Sequence, residues 1–316
     1  VTRSPRPAWV LAADLGGTKI AVARVSRAGA VRDRRVLPTP REGGEAVVAA
    51  LAAALRALPQ EGAAGVGVGV PGLARRDGTV WAPNLAGWRR QPLAKRLRAA
   101  LRLPVLVESD RNAFIAGEAW RGAARGCQDA VAVIVGTGIG AGILIGGRLL
   151  RGHGELAGAV GWMVVPTAAF ADPKLAAAMR ARGCLEFLAA GPGIAEAAER
   201  RDRRRRDVKA LAERARRGDT AARQTLAEAG EALGFALANL VSTLNPRVIV
   251  LAGGVTGAGA WILGPARRAL RRWAQPLAAR QVRLSLSRLG ADAGLLGAAR
   301  LAWLKLANES QQKENS

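Results

Sequence analysis

Val10-Leu-Ala-Ala-Asp-Leu-Gly-Gly-Thr-Lys-Ile-Ala-Val-Ala-Arg-Val25 is two apolar runs broken by a glycine pair. An acid closes the first run, and a hydroxyl and a cation follow the glycines. Short apolar runs bounded by turn residues read as the strands of a β-hairpin. The arrangement returns in a second hairpin beginning at Ala130: Val131-Ala-Val-Ile-Val135, the small-residue stretch Gly136-Thr-Gly-Ile-Gly-Ala-Gly142, then Ile143-Leu-Ile145. This repetition predicts an α/β chain with an internally duplicated nucleotide-binding half.

Outward from the hairpins, apolar periodicity predicts a helix over 45–58 and a buried strand over 65–70 that ends at Pro71-Gly72. A basic amphipathic helix is expected over 92–101, a strand over 105–108 and a helix over 112–121. Residues 196–238 read as helical with an interruption at 217–219, and the run Arg203–Arg206 as a solvated helix face or loop rather than a docking site. A strand over 248–251 leads into Gly253-Gly254, helices follow over 261–274 and 295–306, and residues 307–316 read as a polar, frayed tail. The expected domains are 1–119 and 120–294, with 295–306 packed on the first.

With 316 residues, half of them hydrophobic, the chain has apolar material for about two cored domains and is not intrinsically disordered. No run reaches ~18 uninterrupted apolar residues, so no membrane span is expected. The opening residues lack the apolar core and cleavage site of a secretory leader, which points to the cytoplasm. Two cysteines, Cys127 and Cys184, suit a reducing compartment. The formal charge of +24 invites a nucleic-acid reading. However, only six of the 48 basic residues are lysine, the arginines are spread along the chain, and tyrosine is absent, which fits a compositional bias rather than a DNA-reading surface. One histidine, His153, excludes a multi-histidine metal site and leaves little room for a Ser-His-Asp triad.

Glycines in Asp14-Leu-Gly-Gly-Thr-Lys19 would let backbone amides approach phosphate oxygens, with Thr18 donating a hydrogen bond and Lys19 adding charge; the same turn could be purely structural. Gly136-Thr-Gly-Ile-Gly140 is a second loop of this kind, and Ala252-Gly-Gly-Val255 could present bare backbone to a purine or ribose. There is neither a Rossmann fingerprint nor a Walker A sequence. Asp110, in Glu108-Ser-Asp-Arg-Asn112, stands at the carboxyl end of a strand, where it could deprotonate a hydroxyl or simply cap the next helix, as Ser109 or Asn112 could.

Taken in order, these pieces resemble the ROK family (repressor, open reading frame, kinase) of the actin-like ATPase superfamily. The resemblance also draws on Gly67-Val-Gly-Val-Pro-Gly72, Ala82-Pro-Asn-Leu-Ala-Gly-Trp88, Gly147-Arg-Leu-Leu-Arg-Gly152, Arg182-Gly-Cys-Leu-Glu186 and Asn245-Pro-Arg-Val-Ile-Val-Leu-Ala-Gly-Gly254, and covers about residues 9–305. It implies two ribonuclease-H-like, actin/hexokinase-type domains around a cleft, and ATP-dependent phosphorylation of a hexose or related sugar. Asp110 would be the base. Asp14 would hold Mg²⁺ through water, and Gly16, Gly17, Thr18 and Lys19 with Gly136, Thr137 and Gly138 would cradle the phosphates. Gly253 and Gly254 would lie near the adenosine, and Gly72, Asn84, Ser109 and Glu186 would line the sugar pocket. Family members are commonly homodimers.

The chain departs from the family pattern where the sugar is gripped. The usual Asn before the base is Ser109, and the usual Ala-Gly-Glu-Ile-Gly-His stretch is Ala157-Gly-Ala-Val-Gly-Trp162, so Ala159 and Trp162 replace a Glu and a His. Of the family's zinc ligands only Cys184 remains, and zinc is not expected. Trp162 could stack on a sugar or fill core volume, the latter being favoured. His153 and Glu155 could stand in for the missing groups, although a surface or turn role fits them better. The competing readings are a catalytically inactive sugar- or nucleotide-binding relative and a transcriptional regulator. A regulator would need a DNA-binding module for which the residues before Asp14 leave no room. No specific nucleic-acid or membrane partner is expected.

Overall fold

The computed structural model describes residues 9–314. They form two units: unit 1 comprises the described residues up to Gly126, Arg151–Leu156 and the chain from Arg288 onward, and unit 2 comprises Cys127–Leu150 and Ala157–Ser287.

In unit 1 the hairpin of β1 (Trp9–Leu15) and β2 (Lys19–Ser26) is extended by β3 (Val31–Pro38) and followed by α1 (Gly44–Arg56) and β4 (Ala63–Val70). The short β5 (Leu73–Ala74) and β6 (Val80–Trp81), then α2 (Leu93–Leu101), β7 (Val105–Ser109) and α3 (Asp110–Arg121), complete this part. The sheet order is β3-β2-β1-β4-β7, with β1, β4 and β7 parallel and the first three strands antiparallel. Both faces of β1 are buried, which explains why its sequence is apolar throughout instead of alternating. Leu11, Ala13 and Leu15 pack with α1 and α2 through Val47, Leu51, Leu55, Leu93 and Leu97. Val10 and Ala12 pack with Leu295, Leu296, Ala299 and Trp303 of α11 (Ala293–Glu314). Charge hides β3 from a hydropathy reading: Arg32, Asp33, Arg34 and Arg35 are exposed on the sheet edge, where such residues discourage edge pairing.

Two further differences from the sequence reading have simple causes. Residue 119 lies inside α3, so the chain leaves unit 1 only after Gly126. The expected polar tail at 307–316 is instead helical as far as Glu314, its last two residues lying outside the described ones. Its Glu, Gln and Lys residues are good helix formers, and Lys305 Nζ lies 3.8 Å from Glu309 Oε1 one turn on.

Unit 2 repeats the sheet. β8 (Ala130–Val135), β9 (Ile139–Ile145) and β10 (Arg148–Leu149) precede α4 (Pro173–Arg182), α5 (Cys184–Ala189), α6 (Gly191–Asp202), α7 (Val208–Arg216) and α8 (Thr220–Leu244). β11 (Val248–Ala252), α9 (Ala260–Trp273), α10 (Pro276–Gln281) and β12 (Arg283–Leu286) follow, and the order is β10-β9-β8-β11-β12. Because β9 starts at Ile139, the hairpin turn is only Gly136–Gly138, shorter than the glycine pattern suggests. The expected helical region breaks twice, and an aspartate caps each restart: Asp207 Oδ1 accepts from Ala210 N at 2.8 Å and Asp219 Oδ1 from Ala222 N at 3.0 Å. The first break holds the Arg203–Arg206 run in a loop.

Candidate active site

Register places Asp14 beside Gly69 and Gly69 beside Glu108 across the carboxyl ends of β1, β4 and β7, the edge at which parallel strands present ligand-binding groups. Glycines make the room. A Cβ on Gly69 would lie 3.4 Å from Asp14 Oδ1, and one on Gly294, in the first turn of α11, only 2.7 Å from Asp14 Oδ2. Burial pushes the Asp14 carboxyl up to about 6; the neighbouring Asp110 charge adds to the rise and Lys19 opposes it. Burial also raises Asp110 above its ordinary value, against the opposing hydrogen bond from the Arg111 amide and the Arg111 charge. Two half-buried carboxylates thus share one corner with their pKa values raised, the setting in which acids are poised for proton transfer.

Asp110 is not the helix cap. Ser109 holds that position, with extended backbone and no capping hydrogen bond from its side chain, and Asp110 is the first helical residue, its Oδ1 accepting from Arg111 N at 2.7 Å. The segment around it is pinned by Glu108, a buried carboxylate that the sequence reading did not single out. Its Oε1 accepts from Ser109 N and Asn112 Nδ2, both at 3.0 Å, and its Oε2 from Arg151 Nη2 at 2.6 Å and Nε at 3.2 Å. Arg111 Nη2 donates to the Glu155 carbonyl at 3.2 Å. Glu155 takes φ 64°, a left-handed conformation that costs a non-glycine residue of order 1 kcal/mol or more. It is buried in a tight turn with Arg76 Nε 2.9 Å from its Oε1, whereas His153 is exposed. Within this well-bonded segment Ser109 Oγ, Arg111 Nε and Asn112 Oδ1 are buried with no partner among the described residues. Polar atoms left open in this way beside a raised carboxylate mark a place for a polar ligand.

The β1–β2 turn closes with Gly16 N donating to the Lys19 carbonyl at 2.9 Å, leaving Gly17, Thr18 and Lys19 exposed. Thr39 braces it, donating from Oγ1 to the Gly16 carbonyl at 2.7 Å and from N to the Thr18 carbonyl at 3.0 Å; a lone Thr after a charged strand carries no signal that would have found it. Gly72 needs its φ of 100°, since a Cβ there would strike the Trp81 carbonyl. Asn84 is exposed in the turn between Ala82 and Trp88.

Unit 2 presents backbone instead of acids. Gly136 N donates to the Gly138 carbonyl at 2.9 Å, and the Gly136 carbonyl accepts from Gly191 N at 2.8 Å. Gly136 and Gly254 each face open space where a Cβ would stand, and together with Thr137, Pro192, Arg205, Arg206 and Lys209 they line a cavity of about 470 Å³. Gly253, at φ 94°, lies too close to the Val135 carbonyl to carry a side chain. The Arg203–Arg206 loop therefore does more than face solvent, since Arg205 and Arg206 line this cavity, with Asp207 beside them. Bare amides, a hydroxyl and cations fit a nucleotide. Glu186 belongs to this unit: its Oε2 accepts from Ile139 N at 2.7 Å and backs onto Gly138.

Trp162 is 59% exposed, so it does not fill core volume as favoured above; the 3₁₀ turn at Val160–Trp162 buries Val160 and Gly161 and turns the indole outward. Ala159 is exposed as well. Cys184 is buried, its thiol 3.9 Å from the Val165 carbonyl, and among the described residues no group of three or more His, Cys, Asp or Glu side chains could hold a metal. No helix among them is long and apolar enough to cross a membrane.

Paired five-stranded sheets, each opened by a glycine-turned hairpin, define a protein of the actin/hexokinase-type fold. Residues 10–305 match the ROK family, and the chain belongs to it. Over 98% of its length it is 32% identical to a glucokinase of Halalkalibacterium halodurans, of which it covers 96%. It is 37% identical to an N-acetylmannosamine kinase of Escherichia fergusonii, with 92% of this chain and 97% of that protein covered. The crystal structure of a ROK hexokinase from Thermus thermophilus superposes with a TM-score of 0.80 at 36% identity, covering 95% of this chain and 99% of that one.

Proposed function

We propose that this chain is an ATP-dependent kinase of a hexose or related sugar, with Asp110 as the general base. The observation that carries the proposal is Asp110 itself: a half-buried carboxylate of raised pKa at the carboxyl end of β7, amid three buried polar atoms that lack partners among the described residues. A raised pKa suits a base that must take a hydroxyl proton near neutral pH. ATP would supply the phosphoryl group and Mg²⁺ would neutralise its charge. Asp14 is the residue to hold Mg²⁺, through water. Gly16, Gly17, Thr18 and Lys19 with Gly136, Thr137 and Gly138 would hold the phosphates, and Gly253 and Gly254 the adenosine. Gly72, Asn84, Ser109 and Glu186 are the residues proposed to orient the sugar. The chain would act in the cytoplasm, as a homodimer and without a nucleic-acid partner.

Kinases of glucose and of N-acetylmannosamine are both among the relatives, and Ala159 and Trp162 replace two sugar-gripping groups of the family, so the acceptor is to be found by assay. An ADP-release screen over glucose, N-acetylglucosamine, N-acetylmannosamine, mannose, fructose and allose should give turnover with at least one sugar that depends on Asp110. Turnover no higher than that of Asp110→Asn on every sugar would sink the proposal. Sugar or nucleotide binding measured by calorimetry without phosphoryl transfer would support the second reading, an inactive binding protein, which the loss of those two groups favours.

A further inference from the structure

Unit 1 contains a cavity of about 290 Å³ walled by Arg75 and Arg76 after β5, Arg98 of α2, Glu108 of β7, and Arg151 and Glu155. Four guanidiniums face two carboxylates, and both carboxylates are already engaged. Glu108 accepts two bonds from Arg151, and Glu155 lies 2.9 Å from Arg76 Nε and 3.4 Å from Arg151 Nε. The remaining cations have little to hold. Arg75 is half-buried and makes no ion pair or side-chain hydrogen bond among the described residues, its charge acting at longer range on Asp77, and the Arg98 side chain makes only a 3.5 Å bond to the Val105 carbonyl. Guanidiniums that outnumber the carboxylates of a concavity draw an anion, and their planar forks match phosphate oxygens. The volume lies just under the ~300–1,000 Å³ of pockets for drug-sized molecules, which suits one small ion or one sugar phosphate.

We propose that this cavity is a regulatory phosphate site, in which Arg75 and Arg98 hold a phosphate dianion, whether inorganic or borne by a sugar, and the dianion draws Arg151 from Glu108. The consequence reaches the base through bonds already described. Glu108 Oε2 holds Arg151, while its Oε1 holds Ser109 N and Asn112 Nδ2, the groups on either side of Asp110. Loosening the first contact frees the second, and the segment that aims Asp110 loses its brace. Occupancy therefore lowers kcat and leaves ATP affinity unchanged. The inhibition rests on the proposed phosphoryl transfer, whereas the binding does not.

The test titrates the full chain by calorimetry with inorganic phosphate and, separately, with glucose 6-phosphate, using wild type, Arg75→Gln/Arg98→Gln and Lys19→Met. Expected is at least a tenfold loss of phosphate affinity in the double variant and none in Lys19→Met, with melting temperatures alike. Tighter binding of the sugar phosphate would assign the site to it, and equal binding to the ion. In the kinase assay inhibition by phosphate should be non-competitive with ATP and absent from the double variant, whose uninhibited rate matches wild type. Unchanged affinity in the double variant, or affinity lost with Lys19→Met, would overturn the proposal, as would inhibition that competes with ATP. If no sugar is phosphorylated, the functional reading fails while calorimetry still decides this one.

Discussion

In unit 1 the order β3-β2-β1-β4-β7 sets Asp14, Gly69 and Glu108 in a row, with Asp110 two residues on; in unit 2 the order β10-β9-β8-β11-β12 ends its parallel strands at Val135, Ala252 and Leu286, each followed by Gly136, Gly253 or Ser287. The sheets have the same connectivity, and their first turns close in the same way, through an amide of Gly16 or Gly136. What differs is the chemistry mounted on the strand ends. One unit carries half-buried acids of raised pKa, and the other carries open backbone and basic side chains. On the proposed function, a duplicated architecture becomes an enzyme by specialising a handful of terminal residues while both cores stay apolar.

The largest way to break this comparison is to unfold one unit and spare the other. α3 and α11 approach through Gly117 and Gly297, and a Cβ on Gly297 would overlap the Ala113 carbonyl. Gly297→Ala should cost ~3 kcal/mol and accelerate hydrogen exchange in β1 and β4 while β8 and β11 stay protected. Uniform loss of protection would show that the units do not fold separately.

The acids should make the two units respond differently to pH. The folded pKa of Asp14, about 6, lies above its ordinary 3.8. Between those values the native state holds the extra proton, so stability is highest at low pH and falls as pH rises through this window, by at most ~3 kcal/mol. Asp14→Asn should remove that slope and stabilise unit 1 at pH 7 but not at pH 4, as urea melts would show. Activity should fall as pH drops through about 6, where Asp14 takes up its proton, and the raised pKa of Asp110 acts in the same direction. A flat stability profile for wild type between pH 4 and 6 would count against a raised pKa for Asp14.

A smaller effect is expected at the turn of unit 2. Glu186→Ala leaves the Ile139 amide without its acceptor, a loss of ~1–3 kcal/mol, and should raise KM for ATP by loosening Gly136–Gly138. The smallest is at Trp162, where substitution by Ala should change stability by less than ~0.5 kcal/mol because the side chain is exposed. A loss of several kcal/mol would mean that the indole is packed after all.

Much of this was legible in the sequence because it is written in short-range signals. Apolar runs flanked by glycines announce β1, β2, β4, β8 and β11, and Asp14 and Asp110 stand where strand ends place ligand-binding groups. The charged edge strand β3 carries no apolar pattern, and the helical tail needed its i,i+4 pairing to outweigh its polarity. The brace around Asp110 was hidden for another reason. Glu108 meets Arg151 across 43 residues of chain, a pairing that only the folded topology creates. Trp162 shows the converse: an aromatic residue reads as core in a sequence, but a 3₁₀ turn can leave it outside.

If the acids of unit 1 perform the proton chemistry, Asp110→Asn should show it more directly than any other change. With whichever sugar is turned over, kcat should fall by ~10²–10⁴, while ATP binding measured by calorimetry and the melting temperature remain as in wild type. A kcat within tenfold of wild type, with the protein folded and ATP bound, would contradict the account.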